Sequence, residues 1–192
     1  MMHIGPFQLR NRLVLAPMAG VTDRPFRQLC KQLARGWTVP RWSRPIRCCG
    51  QRKTPPPAPI TNGEVEPRTM QMAGAPIRRD GRGRRHNVDH GAQIIDINMG
   101  CPAKKVCNVM AGSALLQYED LVQRILEAVV EAVDVPVTLK IRTGWDRGHR
   151  KTACAINRPH RRAGRAAFRC AVHGRHPRLR PKGRGRYEPS GT

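Results

Sequence analysis

Residues 92–102 read AQIIDINMGCP, and residues 135–145 read VPVTLKIRTGW. Ala92 to Ile97 is a short apolar strand that carries one polar residue, Asp96. Asn98-Met99-Gly100-Cys101-Pro102 then forms a turn at its carboxyl end. Glu119 to Val133 is the clearest helix of the chain. Leu121, Val122, Ile125, Val129 and Val133 make its apolar stripe, and Gln123, Arg124, Glu127 and Glu131 face away. Val135 to Ile141 is the next strand. Strand, loop, helix and strand within about 50 residues make a βαβ unit. Both strands are almost continuously apolar, as parallel strands covered on both faces are. The fold class is therefore α/β.

Working towards the amino terminus, MQMAGAPI (70–77) reads as another buried strand running into a glycine turn. Leu13 to Ala16 is a shorter one, stopped by Pro17. Ile4 to Leu9 fits a small lead-in hairpin. Thr22 or Asp23 can cap a helix with Pro25 in its first turn. Phe26, Leu29, Cys30 and Leu33 fall on one face of that helix. Residues 36–69 hold Pro55-Pro56-Pro57 and no sustained apolar period, which reads as a long basic loop or as disorder. Past Trp145 the pattern decays. Only Cys170 to Arg175 resembles a strand there.

The 192 residues predict one globular domain of ordinary size. The hydrophobic fraction is 39%, and only 4% of residues are aromatic. The net charge is +23, with 29 Arg and 7 Lys, but it is unevenly spread. Residues 92–146 carry −2, whereas residues 147–192 hold 14 basic residues against the single acid Glu188. Clustered arginine suits nucleic-acid phosphates. The same texture also arises when GC-rich DNA is read out of frame. Seven cysteines without a secretion signal do not form a disulfide framework. None has C-x-x-C spacing, so no metal centre is expected. No run approaches 18 apolar residues, so no membrane span is predicted and a cytoplasmic location is expected.

Ligands of α/β folds gather at the carboxyl ends of parallel strands. Four segments put unusual residues there: Pro17-Met18-Ala19-Gly20, Gln71 with Gly74, Asn98 to Pro102, and Lys140 to Trp145. Cys101 sits on a tight loop between Gly100 and Pro102, which suits a reactive or acid–base thiol; a small buried hydrophobe is the structural alternative. Lys140 interrupts an apolar strand, and a buried lysine needs an anion. A phosphate or an electron-rich cofactor would supply one; so would Asp96, as a structural ion pair. Asn98 is either a turn cap or a ligand contact.

These motifs carry a resemblance. NRLVLAPMAGVTDRPFRQLC (11–30), MQMAG (70–74), GAQIIDINMGCPAKKV (91–106), AGSALLQYEDLV (111–122) and VDVPVTLKIRTGW (133–145) occur in order. In these segments the chain resembles the bacterial tRNA-dihydrouridine synthases, nearest the B type. The resemblance implies an FMN-binding TIM barrel that reduces a tRNA uridine to 5,6-dihydrouridine, with NADPH as the reductant of the flavin and tRNA as the partner. It implies that Pro17, Met18 and Ala19 line the flavin and that Gln71 contacts its ring. Lys140 would hold the flavin near its ring or ribityl chain. Asn98 would hold the target uracil, with Arg142 near flavin or RNA. Cys101 would give the proton to C5 while reduced FMN gives hydride to C6. His173, in AVHGR, matches a flavin-side histidine of the family, offset by a few residues.

A full (β/α)8 barrel needs about 250 residues and eight strands, whereas this sequence supplies about five strand positions. The family's phosphate-binding glycine segment and its helical RNA-binding domain are not seen. The expectation is thus an incomplete TIM barrel over 1–146 and a basic, degenerate tail over 147–192 where the barrel continuation is lost. The segment between PMAG and MQMAG keeps the family's length but not its composition, which points to compensating frameshifts over 36–69. Two other functions fit the sequence: a non-enzymatic basic RNA-binding remnant, and a related flavin barrel acting on a free pyrimidine. GCPAKKV and LKIRTGW favour the tRNA enzyme over the last.

Overall fold

The computed structural model describes residues 2–18, 21–34, 36–39, 64–73, 87–101, 111–144 and 168–172. The chain opens with an antiparallel hairpin, β1 (Met2–Ile4) and β2 (Phe7–Leu9). Gly5 makes its turn at φ +56°, and a Cβ there would meet the Pro136 ring. Only glycine fits that close, left-handed turn. The lead-in hairpin read from Ile4 to Leu9 is thus present.

Strand β3 (Val14–Leu15) pairs in parallel with β4 (Trp37–Thr38). Between them runs α1 (Arg24–Ala34). Asp23 caps this helix, its Oδ1 accepting from the Phe26 amide at 3.0 Å. Strand β4 lies inside the segment read as having no strand. Two residues are too short to show a periodic signal. Gly36 permits the pairing, because a Cβ there would lie 2.5 Å from the Leu13 carbonyl oxygen.

The larger sheet is all parallel, in the order β5 (Thr69–Ala73), β6 (Ile94–Met99), β7 (Val137–Ile141) and β8 (Phe168–Val172). A 3₁₀ helix (Gly112–Gln117) and α2 (Glu119–Ala132) connect β6 to β7. The βαβ unit read from the sequence is therefore present. Among the described residues six strands lie in parallel pairs, against about five expected from the sequence. Strand β8 begins at Phe168, two residues ahead of the expected strand.

The two faces of β6 enter different environments, because successive side chains alternate. Ile95, Ile97 and Met99 pack with Val122, Ile125, Leu126 and Val129 of α2. Ile94 packs instead with Ile4, Leu9, Trp37 and Val39. Asp96 and Asn98 follow Ile94 at two-residue steps on that same face. The Trp37 indole N–H donates to the Thr69 hydroxyl at 2.9 Å, tying β4 to β5.

Helix α1 departs from its expected orientation. Phe26 and Leu29 are exposed and Leu33 is 77% exposed, while Arg27 is buried. Arg27 donates to both carboxylate oxygens of Glu64 and, at 2.7 Å, to the Thr22 carbonyl. That charge-assisted fork turns the polar side of the helix inward.

Candidate active site

The carboxyl ends of β5, β6 and β7 bring the chemically distinctive residues together through register. Gln71, Asp96 and Thr138 stand opposite one another across the three strands. One pleat further on, Asn98 stands opposite Lys140. Gly100, Cys101 and Arg142 follow in the loops beyond. The parallel register thus stacks a polar layer above the apolar layer of Ile94.

Asp96 is 2% exposed. Its Oδ2 accepts from Gln71 Nε2 and its Oδ1 from the Thr138 hydroxyl, both at 2.6 Å. Burial pushes its carboxyl up to about 6, against the pull of the two hydrogen bonds and of the Lys140 charge. The structural ion pair considered for Asp96 and Lys140 is not made: both carboxylate oxygens are held by neutral donors. Lys140 acts on Asp96 only through space. The Lys140 ammonium is itself lowered by burial, opposed by the Asp96 charge. Among the described residues it makes no hydrogen bond. The Gly100 backbone lies beside it, since a Cβ there would be 3.5 Å from Nζ.

Asn98 does two jobs. Its Nδ2 donates to Gln71 Oε1 at 3.1 Å, and its Oδ1 accepts from the Gly100 amide at 2.9 Å. The second bond closes the turn that carries Cys101. Arg142 Nε donates to the Gly100 carbonyl at 2.8 Å, and the Ser113 amide donates to the Cys101 carbonyl at 2.9 Å. The half-buried thiol of Cys101 is therefore mounted on a loop fixed from three sides.

Pro17 and Met18 lie at the carboxyl end of β3, in the other parallel sheet. Pro17 is buried and Met18 exposed. The Thr22 hydroxyl pins this turn, accepting from the Met18 amide at 2.9 Å and donating to the Met18 carbonyl at 3.1 Å. Ala19 and His173 lie outside the described residues. Sequence reasoning missed the bonds of Asp96 to Gln71 and Thr138 and the separate bonds by which Thr22 pins the Met18 turn. The polar Asp96 in an apolar strand was the available signal. A cavity of about 520 Å³ at Gln8, Leu9, Arg10, Lys31, Gln32 and Pro67 contains none of these groups. Among the described residues no three His, Cys, Asp or Glu side chains converge as a metal site.

A protein-family model described as dihydrouridine synthase matches residues 14–189. The chain belongs to the dihydrouridine synthase family. It is 56% identical over 174 residues to tRNA-dihydrouridine synthase B of Pseudomonas aeruginosa, covering 90% of this chain and 51% of that protein. It is also 56% identical over 175 residues to tRNA-dihydrouridine synthase B of Xanthomonas campestris pv. campestris, covering 91% and 52%. Against tRNA-dihydrouridine synthase B of Escherichia coli K12 the figures are 54% over 149 residues, 78% and 46%. The chain spans about half the length of the curated relatives it matches. The family implies a TIM barrel; among the described residues β3 pairs with β4, and β5 to β8 pair in order in a separate sheet, all in parallel as strands of such a barrel are.

Proposed function

We propose that this protein reduces a uridine of tRNA to 5,6-dihydrouridine at the carboxyl ends of β5, β6 and β7. The observation that carries this reading is the convergence of Gln71, Asn98, Lys140 and the fixed Cys101 loop on one end of a parallel sheet. Membership of the dihydrouridine synthase family supports it.

The site fits FMN on its own chemistry. The Lys140 ammonium is partly withdrawn from water without a hydrogen-bond acceptor among the described residues, and the Asp96 charge offsets its desolvation only in part. An electron-rich ring over it would repay that cost. Lys140 would hold the ring, with Pro17, Met18, Ala19 and His173 completing the flavin site, and Gln71, only 1% exposed, would support it from beneath through Asn98. When bound and reduced, at the expense of NADPH, the flavin supplies hydride to C6 of the uracil.

The chain supplies the rest. Cys101 Sγ–H gives its proton to C5, acting as a general acid. Asn98 has hydrogen-bonding capacity left after binding Gln71 and Gly100, and uses it to hold the uracil edge. Arg142 braces the loop through the Gly100 carbonyl, and its other N–H groups meet flavin or RNA. A base inside tRNA must leave its stack to enter such a site. Basic surface steadies the tRNA through its phosphates without reading sequence. A tRNA substrate and NADPH place the reaction in the cytoplasm. No helix among the described residues is long and apolar enough to cross a membrane.

The test is Cys101→Ala assayed on unmodified tRNA. Flavin binding is retained, and dihydrouridine formation falls about 10²–10⁴-fold, the usual contribution of a positioned proton donor. Undiminished turnover in that variant would remove Cys101 from the mechanism.

A further inference from the structure

We infer that Asp96 is a positioning residue: its buried carboxylate sets the donor–acceptor direction of a hydrogen-bond relay that runs through Gln71 and Asn98 to the Gly100 amide and so fixes the Cys101 loop. The relay has four members and three bonds. Asp96 Oδ2 accepts from Gln71 Nε2 at 2.6 Å. Gln71 Oε1 accepts from Asn98 Nδ2 at 3.1 Å. Asn98 Oδ1 accepts from the Gly100 amide at 2.9 Å.

The direction is forced from both ends. An ionised carboxylate only accepts, and a backbone amide only donates. Between them each carboxamide has one satisfying orientation. If Gln71 turned over, its oxygen would face the Asp96 oxygen and its N–H₂ would face the Asn98 N–H₂. Both contacts would then be lost inside a buried layer, where unsatisfied polar groups are costly. The Thr138 hydroxyl, donating to Asp96 Oδ1 at 2.6 Å, holds the carboxylate plane. Asp96 itself has no surface to offer a ligand, being 2% exposed. Its effect on the site passes through Gln71 and Asn98.

The inference rests on the function proposed above only for why the loop matters. Its test is made on the ligand-free 192-residue chain by amide hydrogen exchange followed by NMR. In the unaltered chain the Gly100 amide and the side-chain amides of Gln71 and Asn98 exchange slowly. In Asp96→Leu, exchange at Gly100 rises at least about tenfold, while the amides of α2 around Leu126 keep their protection. In Asp96→Asn protection at Gly100 returns, because the asparagine oxygen still faces Gln71 while its N–H₂ donates to the Thr138 hydroxyl. Should Asp96→Leu not fold, Gln71→Leu cuts the relay one link on and gives the same local rise.

Rapid exchange of the Gln71 and Asn98 side-chain amides in the unaltered chain would overturn the relay. So would a loss of protection that is equal at Gly100 and α2, which marks a merely structural role. A chain with a protected Gly100 that binds no flavin leaves the relay standing and removes the proposed function instead.

Discussion

Asp96 is the residue where burial and chemistry meet most sharply. Its carboxyl is raised from 3.8 to about 6 in the fold, with burial as the main cause. The native state therefore holds this proton at pH values where the unfolded chain has released it. Stability is full below about pH 4 and falls as pH rises through about 6. The loss amounts to about 3 kcal/mol, from about 1.4 kcal/mol per pH unit. Urea unfolding between pH 4 and 7 should show that decline, and Asp96→Asn should flatten it. A decline of equal size in Asp96→Asn would assign it to another group. At this scale the sequence was readable in part. Cys101, Asn98, Gln71 and Lys140 stand out because polar or reactive residues end apolar strands. The partners of Asp96 did not, because Gln71 and Thr138 lie 25 and 42 residues away in the chain. Only strand register brings them together.

Among the described residues, α1 and α2 show where hydrophobic pattern decides and where it does not. In α2 the apolar stripe is the buried face, and Leu126 is 0% exposed against the strands. Leu126→Ala should cost about 2–5 kcal/mol, as large-to-small changes in a packed core do. In α1 three residues of the expected stripe, Phe26, Leu29 and Leu33, are exposed and the fourth, Cys30, is half-buried, and the inward side is held by Arg27 with Glu64 and the Thr22 carbonyl. Leu33→Lys should accordingly change stability by no more than about 0.5 kcal/mol. Denaturant melts of the two variants test the contrast, and a large loss from Leu33→Lys would show that α1 buries its stripe after all. The βαβ unit was legible because 14 helical residues between two apolar strands make a periodic signal. The orientation of α1 was not, since an amphipathic pattern names two faces but not which is covered. Strand β4 escaped because it has only two residues.

Across the molecule, charge and chemistry separate. The Cys101 loop with β6 and β7 lies within residues 92–146, which carry −2, whereas 147–192 carry 14 basic residues and one acid. The family match takes in 36–69 and 147–189. We expect the coding DNA of 36–69 and 147–192, translated in its other frames, to give less basic sequence with helical periodicity. Frames that give none would leave the +23 as a property of the protein, suited to tRNA phosphates. The proposed reaction requires the ends of β5, β6 and β7 to hold a flavin. The most direct measurement is the visible spectrum of the purified 192-residue chain after reconstitution with FMN and removal of free ligand. The oxidised-flavin band is expected to stay with the protein and to bleach on addition of NADPH. A colourless protein, with all the FMN recovered in the free fraction, would contradict it.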